Sequence, residues 1–119
     1  MITATVALED NSLDLWSIYI SEVSSGQSYN QTFFYQSSQL SAEWIVERPT
    51  VNGILSSLAD FGQVTISNCT ATVNGTTRNL GDFNFAKTLL MNHLGTAFVE
   101  VSNLGADGTR FKETYLLPS

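Results

Sequence analysis

Two glutamates and a tryptophan stand close together in an otherwise apolar run, Ser41-Ala-Glu-Trp-Ile-Val-Glu-Arg-Pro49. Strands take glutamate poorly, so carboxylates at Glu43 and Glu47 need a reason beyond packing. Read as a strand, the run sends Glu43, Ile45 and Glu47 to one face and Trp44 and Val46 to the other. Trp44 and Val46 suit a core, and Glu43 and Glu47 suit a wet or functional face. Four residues of strand part the two carboxylates by about 13 Å, at ~3.3 Å per residue. A proton-sharing dyad requires contact distance, so neither glutamate is the other's partner. Any partner must come from a neighbouring strand. The plainer alternative is a pair of solvated glutamates on an exposed sheet face.

Other residues that could do chemistry are sparse. His93 is the only histidine and has no metal-ligand spacing around it, which reads as an ordinary surface or strand-end residue. Cys69 is the only cysteine, so no intrachain disulfide is possible. Its neighbours Ile66 and Val73 suggest a structural, strand-borne thiol. Asp107-Gly108 is a turn without the periodic oxygen ligands of a calcium loop, and neither a metal nor a cofactor is expected. Trp16, Tyr19, Phe34 and Trp44 could line a groove for sugar or peptide, although strand aromatics are more often core or cross-strand pairs. Sequons occur at Asn30, Asn68 and Asn74, and matter only in a glycosylating compartment.

The elements that must position these residues are short strands. Ile2–Leu8 puts Ile2, Ala4, Val6 and Leu8 on one face. Glu9-Asp10-Asn11-Ser12 turns the chain. Leu13–Val23 sets Trp16, Ile18 and Ile20 against Leu15, Ser17 and Tyr19, and after Ser24–Gln27 the aromatic Tyr29–Ser37 returns as a hairpin. The Glu43 strand stops at Arg48-Pro49, because proline cannot donate to a ladder. Thr50–Ala59 reads as an irregular connection, and Gln63–Cys69 as a strand. Asn74-Gly75 signals a tight hairpin between Thr70–Val73 and Thr76–Leu80. Phe83–Asn92 is open between helix and strand, since its apolar run has no decisive period. Thr96–Asn103 and Arg110–Leu117 close the chain. Roughly eight to ten short strands point to an all-β antiparallel sandwich.

Bulk composition narrows the function. At 119 residues the chain fits one domain, 1–119, with a modest core. Charged residues make up 13%, against about a quarter usually, and the net charge is -6. No basic stripe is present to neutralise phosphates, which argues against nucleic acid as a partner. No apolar run approaches the ~20 residues of a membrane helix. The start, Met1-Ile2-Thr3, lacks the basic segment and long apolar region of a signal peptide, and a chain opening mid-strand is expected to be a piece of a longer one.

The run Ala-Glu-Trp-Ile-Val-Glu47, followed by Leu58-Ala-Asp-Phe-Gly62 and the Val64-Thr-Ile66 strand, resembles the glutamic peptidases, the eqolisins. Ile2-Thr-Ala-Thr-Val6, Ser24-Ser-Gly-Gln-Ser28, Thr32–Tyr35 and the closing Ala106-Asp-Gly-Thr-Arg-Phe111 with Tyr115 are similar to that family in the same order. The resemblance implies a concanavalin A or lectin-like sandwich of two curved antiparallel sheets with the catalytic groups on the concave face. It covers the later half of such a domain, and implies an upstream half, absent here, that carries the catalytic glutamine. Gln27, Gln31, Gln36, Gln39 and Gln63 lie in parts matching the later half, so none inherits that role. A departure lies in the last strand, where Glu113 shares a face with Phe111 and Tyr115 at a position expected to be apolar.

In the mechanism this resemblance implies, a glutamate takes a proton from the water that attacks a peptide carbonyl, and the glutamine amide donates to the oxyanion. Glu43 is assigned as that base, with Glu47 and Trp44 as supporting, substrate-side groups. A carboxylate ionises near ~4.3, which suits acid pH. A base without its oxyanion donor loses on the order of 10²–10³ in rate, so the chain alone is expected to be a poor peptidase. The implied partner is a polypeptide substrate, and the implied location is extracellular. The alternative is a non-catalytic module binding peptide or glycan on the concave face. A homodimer, or the missing upstream half, would complete the sheets and cover their open edges.

Overall fold

The computed structural model describes residues 1–87, 90 and 95–116. Its contacts divide the chain into two compact units, Met1–Ser41 and Ala42–Ser119. Ten strands and one 3₁₀ turn make up the regular structure of the described residues. None of their helices is long and apolar enough to cross a membrane.

The first unit is a three-stranded antiparallel meander of β1 (Ile2–Asp10), β2 (Leu15–Glu22) and β3 (Gln27–Phe34), in that order. Its register pairs Val6 with Ile18, Leu8 with Trp16, Trp16 with Phe33 and Ile20 with Tyr29. Residues opposite each other share a face, so these apolar side chains all lie on one side, as the alternation predicts. Tyr19 and Phe34 belong to the other face, paired with Asn30 and Leu15. Trp16 is therefore separated from Tyr19 and Phe34 by the sheet itself, and the four-aromatic groove is not assembled. The Trp16 indole instead donates to the Tyr35 carbonyl at 2.9 Å.

Carboxylates shape both turns of this meander. After a bulge between Leu8 and Asp10, the Asp10 carboxylate accepts the Ser12 hydroxyl at 2.6 Å and the Ser12 N–H at 2.8 Å. At the second turn Glu22 accepts the Ser24 hydroxyl, the Ser24 N–H at 3.0 Å and the Ser25 N–H at 2.6 Å. Gly26 completes that turn at φ 70°, a conformation that favours glycine. These bonds favour the charged forms, and both carboxyls sit below their ordinary values, chiefly through the hydroxyls of Ser12 and Ser24.

The second unit contains two small hairpins and a three-stranded sheet. Thr50–Val51 (β4) and Ile54–Leu55 (β5) pair in a stretch expected to be irregular, closed by Asn52 and Gly53 at positive φ. Gln63–Ile66 (β6), Val99–Val101 (β9) and Phe111–Tyr115 (β10) form an antiparallel sheet ordered β6-β10-β9. Thr70–Val73 (β7) and Thr76–Asn79 (β8) form the hairpin that Asn74-Gly75 predicts, with φ of 51° and 74° at the two turn residues. Phe83–Lys87 are not helical. Apart from Leu90, the rest of that stretch and His93 lie outside the described residues.

Among the described residues of this unit, the buried side chains are Cys69, Val99, Phe111 and Glu113. Cys69 is fully buried and lies just before β7, in a connection and not in the expected strand. Its N–H donates to Thr109 and its carbonyl accepts from Leu80, while burial pushes its thiol upward. The raised thiol fits a structural role. The 3₁₀ turn Leu80–Asp82 docks beside it through the Gly81 N–H on the Gly108 carbonyl at 2.8 Å.

Two expectations follow. A Cβ at Gly81 would meet the Gly108 Cα at 3.0 Å and Leu104 Cδ2 at 3.1 Å. Gly81→Ala should therefore destabilise the second unit by about 1–3 kcal/mol, read by denaturant unfolding. Glu22 has a depressed folded pKa, so its contribution is present above the ordinary glutamate range and is lost as pH falls through the depressed value. Glu22→Gln should abolish that acid dependence and speed amide exchange at Ser24 and Ser25 near about pH 5.

Candidate active site

The run Ala42–Pro49 forms no ladder, which corrects the strand expected there. Its side chains nevertheless alternate as in a strand. Trp44, Val46 and Arg48 are half-buried, and Glu43, Ile45 and Glu47 are exposed. The parity read from the residue types holds because it follows from extended backbone, which does not need a neighbouring strand.

Three side-chain interactions hold the run in place of a ladder. The Val46 N–H donates to Oε2 of Glu113 at 3.1 Å. The Arg48 Nε donates to the Ser56 carbonyl at 2.6 Å, and its guanidinium lies 5.4 Å from the Phe98 ring centroid. Such a cation over a ring adds about 0.5–1 kcal/mol at an exposed site. At the end of the run, the Pro49 carbonyl accepts the Ser56 N–H at 3.0 Å. Proline's fixed φ and missing donor explain why the chain leaves the extended path there and turns into β4.

The elements around the run are built from the other motifs. In Leu58-Ala-Asp-Phe-Gly62 the Asp60 carboxylate accepts the Gly62 N–H at 2.8 Å, and Gly62 sits at φ 61°. This local turn launches β6. Phe61 then packs edge-on against Tyr115 of β10, with centroids 6.0 Å apart and planes at 67°. The Gly62 carbonyl accepts the Tyr115 N–H at 2.8 Å.

Glu43 and Glu47 project from the exposed side of the run, and among the described residues no hydrogen bond or ion pair reaches either carboxylate. They share a face and are not partners of each other. Trp44 lies on the opposite side of the run and is half-buried. Glu113, by contrast, is only 3% exposed. Burial pushes its carboxyl above the ordinary glutamate value, with the Val46 N–H pulling it part of the way back. Its link to the run could not be read from residue spacing, since 67 positions separate the two ends of the bond. The signal that pointed to it was a glutamate on an apolar face. Among the described residues, no group of three or more His, Cys, Asp or Glu gathers in a way that could hold a metal ion.

The Peptidase A4 family matches residues 1–110. No curated protein sequence matches the chain. Among solved structures, aspergilloglutamic peptidase from Aspergillus niger is similar, with a TM-score of 0.80 and 28% sequence identity. That match covers 98% of this chain and 66% of the other, so the chain spans just under two thirds of the solved relative's length. Antiparallel sheets with almost no helix, matched at this level to a glutamic peptidase, make the fold an all-β antiparallel sandwich. The Ala-Glu-Trp-Ile-Val-Glu run, the Ala-Asp-Phe-Gly turn and the family match over nearly all of the chain lead to one statement: this chain belongs to the Peptidase A4 family, the glutamic peptidases.

Proposed function

We propose that the chain is the glutamate-bearing part of an acid-acting glutamic endopeptidase, with Glu43 as the general base. The observation that carries this reading is the geometry of the run. An extended backbone pinned on its packed side presents Glu43 outward, free of protein partners among the described residues. Water is therefore the natural hydrogen-bond donor to that carboxylate, as a base that activates water requires. Glu47, on the same exposed face, supports or contacts substrate, and Trp44 fixes the run beneath them.

In this reading residues 1–119 work as one domain of the eqolisin kind, corresponding to the later part of that domain. A glutamine from an upstream segment, or from a second copy of the chain, donates to the oxyanion of the tetrahedral intermediate. The substrate is a polypeptide, and the protein works outside the cell. Lone Glu43 chemistry without that donor is slow.

The test is hydrolysis of a denatured protein substrate between about pH 2 and 5, the range bracketing carboxylate ionisation. A Glu43→Gln variant should lose on the order of 10²–10⁴ in rate, the usual worth of a positioned base. Glu47→Gln should lose less and act mainly on KM. Hydrolysis unaffected by Glu43→Gln would remove Glu43 from the role of base. Peptide retained by the immobilised chain, with no hydrolysis in either form, would make it a binding module instead.

A further inference from the structure

Glu113 is the one buried charged side chain among the described residues, and nothing above gives it a part in hydrolysis. It sits in the middle of β10, the central strand of its sheet, directly opposite Val64 on β6 and Val101 on β9. Phe111 and Tyr115 flank it on the same strand face, and Ile66 and Val99 pair with those two. None of these six is a cation. Lys112 falls on the opposite face, the carboxylates of Glu43 and Glu47 are exposed, and Arg48 is committed to Ser56. A buried carboxylate with no cationic partner among the described residues is costly, and an apolar residue of similar volume would serve packing alone at least as well. A glutamate here therefore needs a reason outside the packing of the sheet.

The reason lies in its single polar contact among the described residues. Among the described residues the Val46 N–H is the one amide of the Glu43–Glu47 run bonded to a side chain, and its acceptor is Glu113 Oε2 at 3.1 Å. The run has no ladder to define which way it faces. We propose that Glu113 is a positioning residue for the candidate site: by holding the Val46 amide it sets the facing of the extended run and keeps Glu43 and Glu47 turned outward. Extended backbone alternates strictly, so anchoring Val46 inward places Glu43 and Glu47 on the other side. This rests on the reading of that run as the site. It differs from a catalytic role, because Glu113 acts on Glu43 only through the backbone.

The contact is also a proton-sensitive one. The carboxylate form is the stronger acceptor for the Val46 N–H, while burial favours the neutral acid, and burial prevails. With a raised folded value, Glu113 contributes stability that is fully present below the ordinary glutamate value and lost as pH rises through the raised one. That direction favours folding of this unit in acid.

The test reads the Val46 amide in the whole chain by nuclear magnetic resonance and hydrogen exchange, so it does not depend on hydrolysis. In the native chain the Val46 amide shift should titrate with a midpoint above the ordinary glutamate value. Glu113→Gln keeps an acceptor and should abolish that midpoint while leaving Val46 protected. Glu113→Leu and Glu113→Met fill the space without an acceptor. They should speed Val46 exchange about tenfold or more, the factor a charge-assisted hydrogen bond supports, while amides of β6, β9 and β10 stay as protected as before. A Val46 shift insensitive to Glu113 in the native chain, or equal Val46 exchange in the native, Gln and apolar forms, overturns the proposal. Loss of protection throughout the sheet together with Val46 would also overturn it, since that marks a role in folding alone. Failure of Glu43 as base leaves each of these outcomes unchanged, and the two readings are thereby separable.

Discussion

A carboxylate buried in an apolar sheet must find a donor or be neutralised, and in the second unit that constraint joins two distant parts of the chain. Glu113 satisfies it through the Val46 N–H, and the same bond is what the ladderless Ala42–Pro49 run relies on at its centre. Backbone amides in extended chain normally reach a neighbouring strand; here the neighbour is replaced by one side chain. Arg48, reaching Ser56 and Phe98, fixes the end of the run in a similar way. The presentation of Glu43 thus depends on a small number of side-chain contacts and has little redundancy.

Proton chemistry is distributed unevenly between the two units. In the first, Asp10 and Glu22 lie in serine-rich turns whose hydroxyls and amides favour the charged form. In the second, Glu113 is held by burial toward its neutral form. The first unit therefore loses a stabilising contribution as pH falls, while the second gains one. In the second arrangement the group most expensive to bury charged is the one that acid relieves.

Small packing features decide the local geometry more than large apolar clusters do. Cys69 and Val99 are the side chains buried most completely, and the close approach of Gly81 to Gly108 joins the 3₁₀ turn to the turn before β10. The Asn74-Gly75 and Asn52-Gly53 pairs set two hairpins by positive φ alone. Only the first was legible beforehand, because β4 and β5 have just two residues each and leave no periodic signal.

Residue types and their order determined the all-β class, the faces of β1 and β2, the membership of a peptidase family and the outward parity of Glu43 and Glu47. Each of these rests on alternation, turn chemistry or a contiguous motif, which are local properties of the chain. Tertiary structure alone decided that the glutamate run forms no ladder, that Phe34 pairs with Leu15 on the face away from Trp16, and that Glu113 accepts from Val46. The physical reason is sequence distance. A hydrogen bond between residues 67 positions apart leaves no period to read, only an out-of-place glutamate on an apolar face.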